Sequence, residues 1–258
     1  MKNVLFLTWD GPQTNYLESL YLPIFLRLKD LGWHFHVIQL SWSSRDISGQ
    51  RRQLFESRGL HYRSIPVLRR PKSVGALLTS LLASLPVFWY LRRWRIDVIM
   101  PRSILPGLTT LVAAGWGGTP VVYHSDGLAA DEKVDNEGLS RSSVAYRILR
   151  LIESRVTARA SVVLSLTKFG QSVLASRTQS IGCQQKFYLV TNGKEPTVPA
   201  PLVQDQDWED FALKDERRFT VCYLGSWGPQ YRPLRMLSFV AYLKTGVPEL
   251  EFLILTGD

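Results

Sequence analysis

The sequence predicts an α/β protein: a Rossmann-like parallel sheet with helices on both faces, followed by an incomplete second unit of the same kind. Three observations predict it. Short apolar runs rich in β-branched residues alternate with stretches of helical character. The runs are nearly continuous in their apolar residues, as strands buried on both faces must be. After a proline-rich, acidic interruption the same alternation starts again.

The first run, NVLFLT (residues 3–8), follows the amino terminus directly. Its apolar part is too short for a secretory signal, and no small-residue cleavage site follows. Residues 15–32 (NYLESLYLPIFLRLKDLG) read as a helix closed by the glycine expected after one. Further strands are expected at 34–40 (HFHVIQL), 60–67 (LHYRSIPV), 97–102 (DVIMPR), 120–125 (PVVYHS), 161–167 (SVVLSLT) and 187–192 (FYLVTN). In residues 143–156, Val144, Ile148, Leu151 and Ile152 recur at helical spacing with arginines between them. Glu153 in that helix reads as a surface salt-bridge partner. Residues 1–193 thus form one domain, 194–218 a linker, and 219–258 the opening of a second domain with strand, helix and strand. Those last elements are too few to bury a sheet on two sides. The chain therefore reads as the front part of a longer protein, or as one whose last elements dock onto the first domain.

Hydrophobic residues make up 45% of the 258 and charged residues 21%, which excludes a disordered chain. The two cysteines, Cys183 and Cys222, build no disulfide framework and no zinc cluster, and they fit a reducing, cytoplasmic setting. No metal site is expected. The net charge of +9 favours an anionic partner. No basic or aromatic motif of a nucleic-acid module accompanies it, so nucleic acid is set aside. Residues 73–91 carry no formal charge, with Arg69, Arg70 and Lys72 before them and Arg92, Arg93 and Arg95 after. Basic residues at both ends lack the one-sided bias of a spanning helix, and Pro86 would kink one. The segment reads as a buried or membrane-facing helix, with Trp89, Arg92, Arg93 and Trp94 as contacts to an anionic membrane surface, the inner face of the plasma membrane.

In an open parallel sheet, ligands bind beyond the carboxyl ends of the strands. After the first strand comes TWDGPQTN, where Gly11 permits a tight turn and close approach of a ligand, and Thr14 or Asn15 could cap the next helix. There is no Gly-x-Gly-x-x-Gly after this strand and no Walker loop, and AGWGGTP precedes a strand, which disfavours nicotinamide and P-loop enzymes. His124, in VVYHSDG, ends the fifth strand and should face the same groove as Gly11. A neutral imidazole there could bond a sugar hydroxyl or move a proton, and Asp126 could orient the ring or bind a hydroxyl. Thr167 can cap a helix beginning near Lys168, and Asn192-Gly193 makes a tight turn. In YLGSWGPQYRPL, Gly225 and Ser226 begin another strand-to-helix loop, whose amides could cradle a diphosphate.

Taken in order, VVYHSDGL, RLIESRVTARASVVLSLTKFGQSVL, KFYLVTNGKE, FTVCYLGSWGPQYRPLRMLSF and ELEFLILTGD resemble the GT-B glycosyltransferases of the retaining family 4 type: their N-terminal acceptor-side domain and the opening of their C-terminal donor domain. The resemblance implies transfer of a sugar from a nucleotide-sugar donor to an acceptor glycan or lipid-linked sugar, in cell-surface polysaccharide or glycolipid synthesis. It implies a nucleotide sugar as substrate, no cofactor and no metal. By the same resemblance His124 is the catalytic histidine near the transferred sugar, Gly11 and Asp126 lie on the acceptor side, and Gly225, Ser226 and Arg232 on the donor side. The sequence departs from the family in Asp10-Gly11-Pro12, where a Gly-Gly pair is usual, and in lacking a Glu-x7-Glu pair. Those departures leave a second expectation open: an inactive acceptor-binding or scaffold subunit that needs a separate donor-domain chain. Weak or absent binding of uridine and guanosine diphosphates is expected of this chain.

Overall fold

The computed structural model describes residues 2–68, 70, 72–179, 186–192, 219–225, 227, 228 and 231–256. The expected linker at 194–218 and the Asn192-Gly193 turn lie wholly or partly outside them. The chain divides into two compact units, Met1–Lys194 and Glu195–Asp258.

The first unit is built on β1 (Lys2–Trp9), β2 (Trp33–Ser41), β3 (His61–Pro66) and β4 (Val98–Pro101), paired in the order β3-β2-β1-β4, and on β5 (Val122–Ser125), β6 (Val162–Ser165) and β7 (Lys186–Leu189), paired in sequence order. Every pairing is parallel. The two ladders meet where Ile99 bridges Val121 and Arg102 bridges His124. The amides of Ile99 and Ser103 donate to the carbonyls of Pro120 and His124. Pro101, the alternate position between them, has no N–H to give, so one rung is missing and the ladder is interrupted. The sheet therefore runs β3-β2-β1-β4-β5-β6-β7, the strand order of a doubly wound fold.

Helices cover both faces. On one face α1 (Leu22–Asp30) and α2 (Arg45–Ser57) pack on Val4, Phe6, Phe35 and Val37 through Leu22, Phe25 and Phe55. On the other, α4 (Ser84–Arg93), α5 (Ile104–Gly117), α7 (Val144–Arg159) and α8 (Lys168–Gln179) pack on the intervening positions Leu5, Leu7, Ile38 and Leu40 and on β5 and β6. Alternate residues of β1 thus feed two separate cores, which is why its run shows no polar alternation. Each fully buried Leu, Ile or Phe contributes about 1.5–3 kcal/mol relative to exposure. The remaining helices of this unit are α3 (Lys72–Leu82) and α6 (Ala129–Glu137).

The helix expected over 15–32 opens as a π-helical turn, Leu17–Tyr21, before α1 begins. Neither expected cap forms: the Thr14 hydroxyl donates to the Gly11 carbonyl, and no side chain caps the turn. Thr167 does cap α8, accepting from the Gly170 amide at 3.0 Å. The second unit comprises β8 (Thr220–Leu224), α9 (Pro233–Gly246) and β9 (Glu251–Leu255), with the strands parallel. The α/β class with parallel strands and flanking helices is as the sequence predicts.

Candidate functional site

The carboxyl ends of β1, β4 and β5 converge on one polar cluster. Alternation along β5 sends Tyr123 into the core shared with α7 and turns His124 to the opposite face, toward Tyr21. His124 is 4% exposed, and its Nδ1 lies 3.4 Å from the Tyr21 hydroxyl. Burial pushes its pKa down to about 4; Asp126 opposes this and Arg102 adds to it. The ring is therefore neutral at physiological pH. Burial also raises Tyr21 well above its usual range, so the phenol keeps its proton. Nδ1 is engaged with that hydroxyl, which leaves Nε2 as the ring nitrogen for another partner.

Arg102 is the hub. It closes β4, shares a backbone bridge with His124, and is buried. Its Nη1 donates to Asp10 Oδ1 at 2.9 Å and its Nη2 to Asp126 Oδ2. The guanidinium lies over the rings of Tyr16 and Tyr21, 5.2 and 5.3 Å from their centroids. Thr8 completes the set by donating to Asp10 Oδ2 at 2.5 Å. The next residue, Ser103, is held at φ 74° and ψ 177° at the entrance of α5, a region open almost only to glycine and costing about 1–3 kcal/mol.

Asp126 joins this cluster to a cavity of about 680 Å³ beyond β5 and β6, lined by Glu132, Asp131, Thr167, Phe169 and Arg177 among others. Burial, reinforced by Asp126, raises the pKa of Glu132. Gly127 turns at φ 134°, and a methyl group there would overlap the Glu132 carboxylate. Behind the cavity Glu153 is only 1% exposed and pairs with Arg150 at 2.5 Å and Arg177 at 2.6 Å, while Arg177 also reaches Asp131 at 2.7 Å. Glu153 is thus a buried ionic anchor between α7 and α8, not the surface partner its arginine-rich helix suggested. Burial raises its pKa, and the two arginines pull the other way.

The structure therefore brings His124, Asp126 and the β1 loop together. Gly11 lies in that loop, but the space a side chain would take is filled by the Trp42 indole, so on that side the glycine serves packing rather than ligand approach. Gly225 and Arg232 belong to the second unit. Gly225 has a φ of 152° and donates its amide to Leu255 after β8, and Arg232, also at positive φ, opens α9. Ser226 lies outside the described residues. Trp89, Arg92 and Arg93 are exposed on α4. Trp94 is not: it is half-buried, with its ring stacked 5.1 Å from His36 and 5.6 Å from His61, so the lipid contact expected of it is taken up by this stack. Arg102, Asp10 and Tyr21 were missed in the sequence. Arg102 could have been found, since it ends the fourth apolar run just as His124 ends the fifth. Among the described residues no three His, Cys, Asp or Glu side chains gather as a metal ion would require.

Residues 23–177 match the family described as Glycosyl transferase 4-like domain. Comparison with curated proteins gives no match. Among solved structures, the chain is similar to Anabaena Alr3699/HepE in complex with UDP, with 14% identity and a TM-score of 0.57, covering 100% of this chain and 70% of that one. It is similar to a putative UDP-N-acetylglucosamine 2-epimerase from Listeria monocytogenes, with 11% identity and a TM-score of 0.56, covering 98% and 62%. TcCGT1 in complex with UDP gives 14% identity and a TM-score of 0.52, covering 88% and 58%. At these identities the likeness establishes the fold alone, and the chain spans less than two thirds of the last two proteins.

Proposed function

The chain belongs to the glycosyl transferase 4-like family, and from that membership we propose that it transfers a glycosyl group from a nucleotide-sugar donor to an acceptor glycan or lipid-linked sugar, in cell-surface polysaccharide or glycolipid synthesis. The observation that carries this reading is the buried cluster at the carboxyl ends of β1, β4 and β5. It holds one neutral histidine, two carboxylates and one arginine beside an open cavity. Sugars are recognised by such dense, directional hydrogen-bonding groups, and a carboxylate fixed by an arginine keeps its lone pairs aimed while accepting from hydroxyls.

In this reading Asp126, fixed by Arg102 at the cavity mouth, holds an acceptor hydroxyl, and Nε2 of His124 bonds the sugar undergoing transfer. A neutral imidazole suits an oxocarbenium-like transition state better than a cation would, because it adds no repelling charge. The desolvation that keeps the imidazole neutral also strengthens each polar contact it makes. Gly225 and Arg232 are the donor-side residues: the Gly225 amide is held by the Leu255 carbonyl and shapes the loop, and the Arg232 guanidinium would neutralise the leaving diphosphate. Retention of configuration belongs to this proposal.

The test is acceptor-dependent release of nucleoside diphosphate from a panel of UDP- and GDP-sugars. His124→Ala is expected to lower the rate about a hundredfold or more. No acceptor-dependent release from any donor, supplied at high concentration to offset the weak nucleotide binding expected of this chain, or an unchanged rate in His124→Ala, would overturn the proposal.

A further inference from the structure

The segment from α3 into the first turn of α4 is inside out. Residues 74–93 are long and apolar enough to cross a membrane, yet 39% of the most apolar stretch is buried within the protein. Over α3 and the start of α4 the buried side carries small and polar residues, Gly75, Thr79, Ser80, Ala83 and Ser84, and only farther along does it carry the apolar Val87 and Leu91. Thr109 on α5 donates to the Ser80 carbonyl at 2.8 Å, and the Leu68 amide donates to Thr79 at 2.9 Å. Six large apolar side chains point out. Val74, Leu78, Leu81, Leu82, Leu85 and Trp89 are each between 44% and 61% exposed. A helix adapted to water shows the reverse arrangement.

The outward residues recur every three or four positions and form one stripe, about 22 Å long at the rise of a helix. Trp116 at the end of α5, 52% exposed, widens it by packing edge-on against Phe88 at 5.5 Å. The same helical spacing carries the stripe beyond Trp89 onto Arg92 and Arg93, both exposed, and Arg92 lies 5.2 Å over the Phe88 ring. Arg70 and Arg95 are exposed as well, and no acidic residue occurs from position 72 to position 96.

We propose that this stripe is a docking surface for the anionic leaflet of a phospholipid bilayer, entered in the plane of the membrane and not spanned. The inward face is engaged with α5 and cannot be turned toward lipid without breaking the unit, which rules out a spanning helix. The leucines and Trp89 reach the acyl boundary, and Arg92, Arg93 and Arg95 meet the phosphates. Charge selects lipid over a second copy of this basic chain, since two such faces would set arginine against arginine. The inference is independent of the chemistry proposed above and extends the sequence-based lipid contact from Trp89, Arg92 and Arg93 to Val74, Leu78, Leu81, Leu82, Leu85 and Trp116, without Trp94.

The experiment is co-sedimentation of the full chain with phosphatidylcholine vesicles, with and without phosphatidylglycerol, across a salt series. Light scattering without lipid reports the oligomeric state. Binding is expected only with the anionic lipid, falling as salt rises. Arg92→Gln and Arg93→Gln should each weaken it about fivefold, and Leu85→Ser/Trp89→Ser should abolish it while the chain stays folded by circular dichroism. Equal binding to both vesicles, binding insensitive to these substitutions, no binding, or a stable dimer disrupted by Leu85→Ser/Trp89→Ser would each overturn the proposal.

Discussion

Replacing Arg102 by leucine isolates the electrostatics of the cluster. The guanidinium is 9% exposed and Asp10 7%, so the substitution leaves a carboxylate buried beside a hydrocarbon. Removing one member of a buried ion pair costs about 3–5 kcal/mol. Asp126 is 26% exposed and can turn to water, which places the expected loss near the lower end, about 3 kcal/mol. Loss of the contacts to Tyr16 and Tyr21 adds a fraction of that. The assay is urea unfolding followed by hydrogen exchange in β1 and β4 peptides, which reports the first unit by itself. Adding Asp10→Asn removes the stranded charge and should return about 1–2 kcal/mol, a non-additivity measured by the double-mutant cycle. Arg102→Leu should also raise the His124 pKa above its value of about 4, because a neighbouring cation is gone while Asp126 remains. A loss under about 1 kcal/mol, strict additivity with Asp10→Asn, or a downward move of the His124 titration would refute the reasoning.

The folded first unit should be labile to mild acid. His124 titrates near 4 in the fold against 6.5 as the ordinary value, so between those pH values the unfolded chain binds the extra proton and stability falls as pH falls. That one group accounts for roughly 3 kcal/mol; His34 and His36, both lowered chiefly by burial, act in the same direction. His124→Gln should flatten the stability profile from pH 6.5 to 4, and an unchanged profile would contradict the assignment. Ser103→Gly should stabilise the chain by about 1 kcal/mol in thermal unfolding, relief of the backbone strain outweighing the entropy lost by glycine; a loss would mean that the Ser103 side chain makes an interaction larger than the strain.

The doubly wound sheet was legible because strands buried on both faces leave a plain signature: apolar runs at 3–8, 34–40, 97–102 and 120–125 all became strands. The parts that could not be read depend on direction in space. Glu153 sits among arginines in α7, a pattern shared by solvated helices and by buried ionic anchors; only the packing of α8, which brings Arg177 across from 24 residues away, separates the two. In the 74–93 segment Val87 and Leu91 lie on the buried side and Leu78, Leu81, Leu82, Leu85 and Trp89 on the exposed one, so apolar periodicity does not tell which side the protein keeps. The polar Thr79, Ser80 and Ser84 would have suggested the wrong one. Trp89 and Trp94 lie five residues apart and fall on opposite sides of the α4 terminus, one in solvent and one in a ring stack.

Residue type alone would have chosen another site. Three of the four histidines, His34, His36 and His61, cluster within 6.3 Å of one another. They lie where β2 and β3 begin, with His36 facing His61 in the register. That edge receives the C-termini of the crossover helices, whose orphan groups are carbonyls and whose dipoles end negative. The opposite edge leads into helix N-termini, with free amides and positive ends that welcome anionic and polyhydroxyl groups. At the amino edge His36 and His61 stack on Trp94, and burial and mutual repulsion push His36 down to about 3, leaving it an uncharged member of an aromatic layer. At the carboxyl edge a single histidine has an arginine, two carboxylates and a phenol around it, and one of those carboxylates, Asp126, lines open volume. A parallel sheet therefore sorts its polar residues by the direction of its strands, and His124 qualifies as the candidate because its strand ends there.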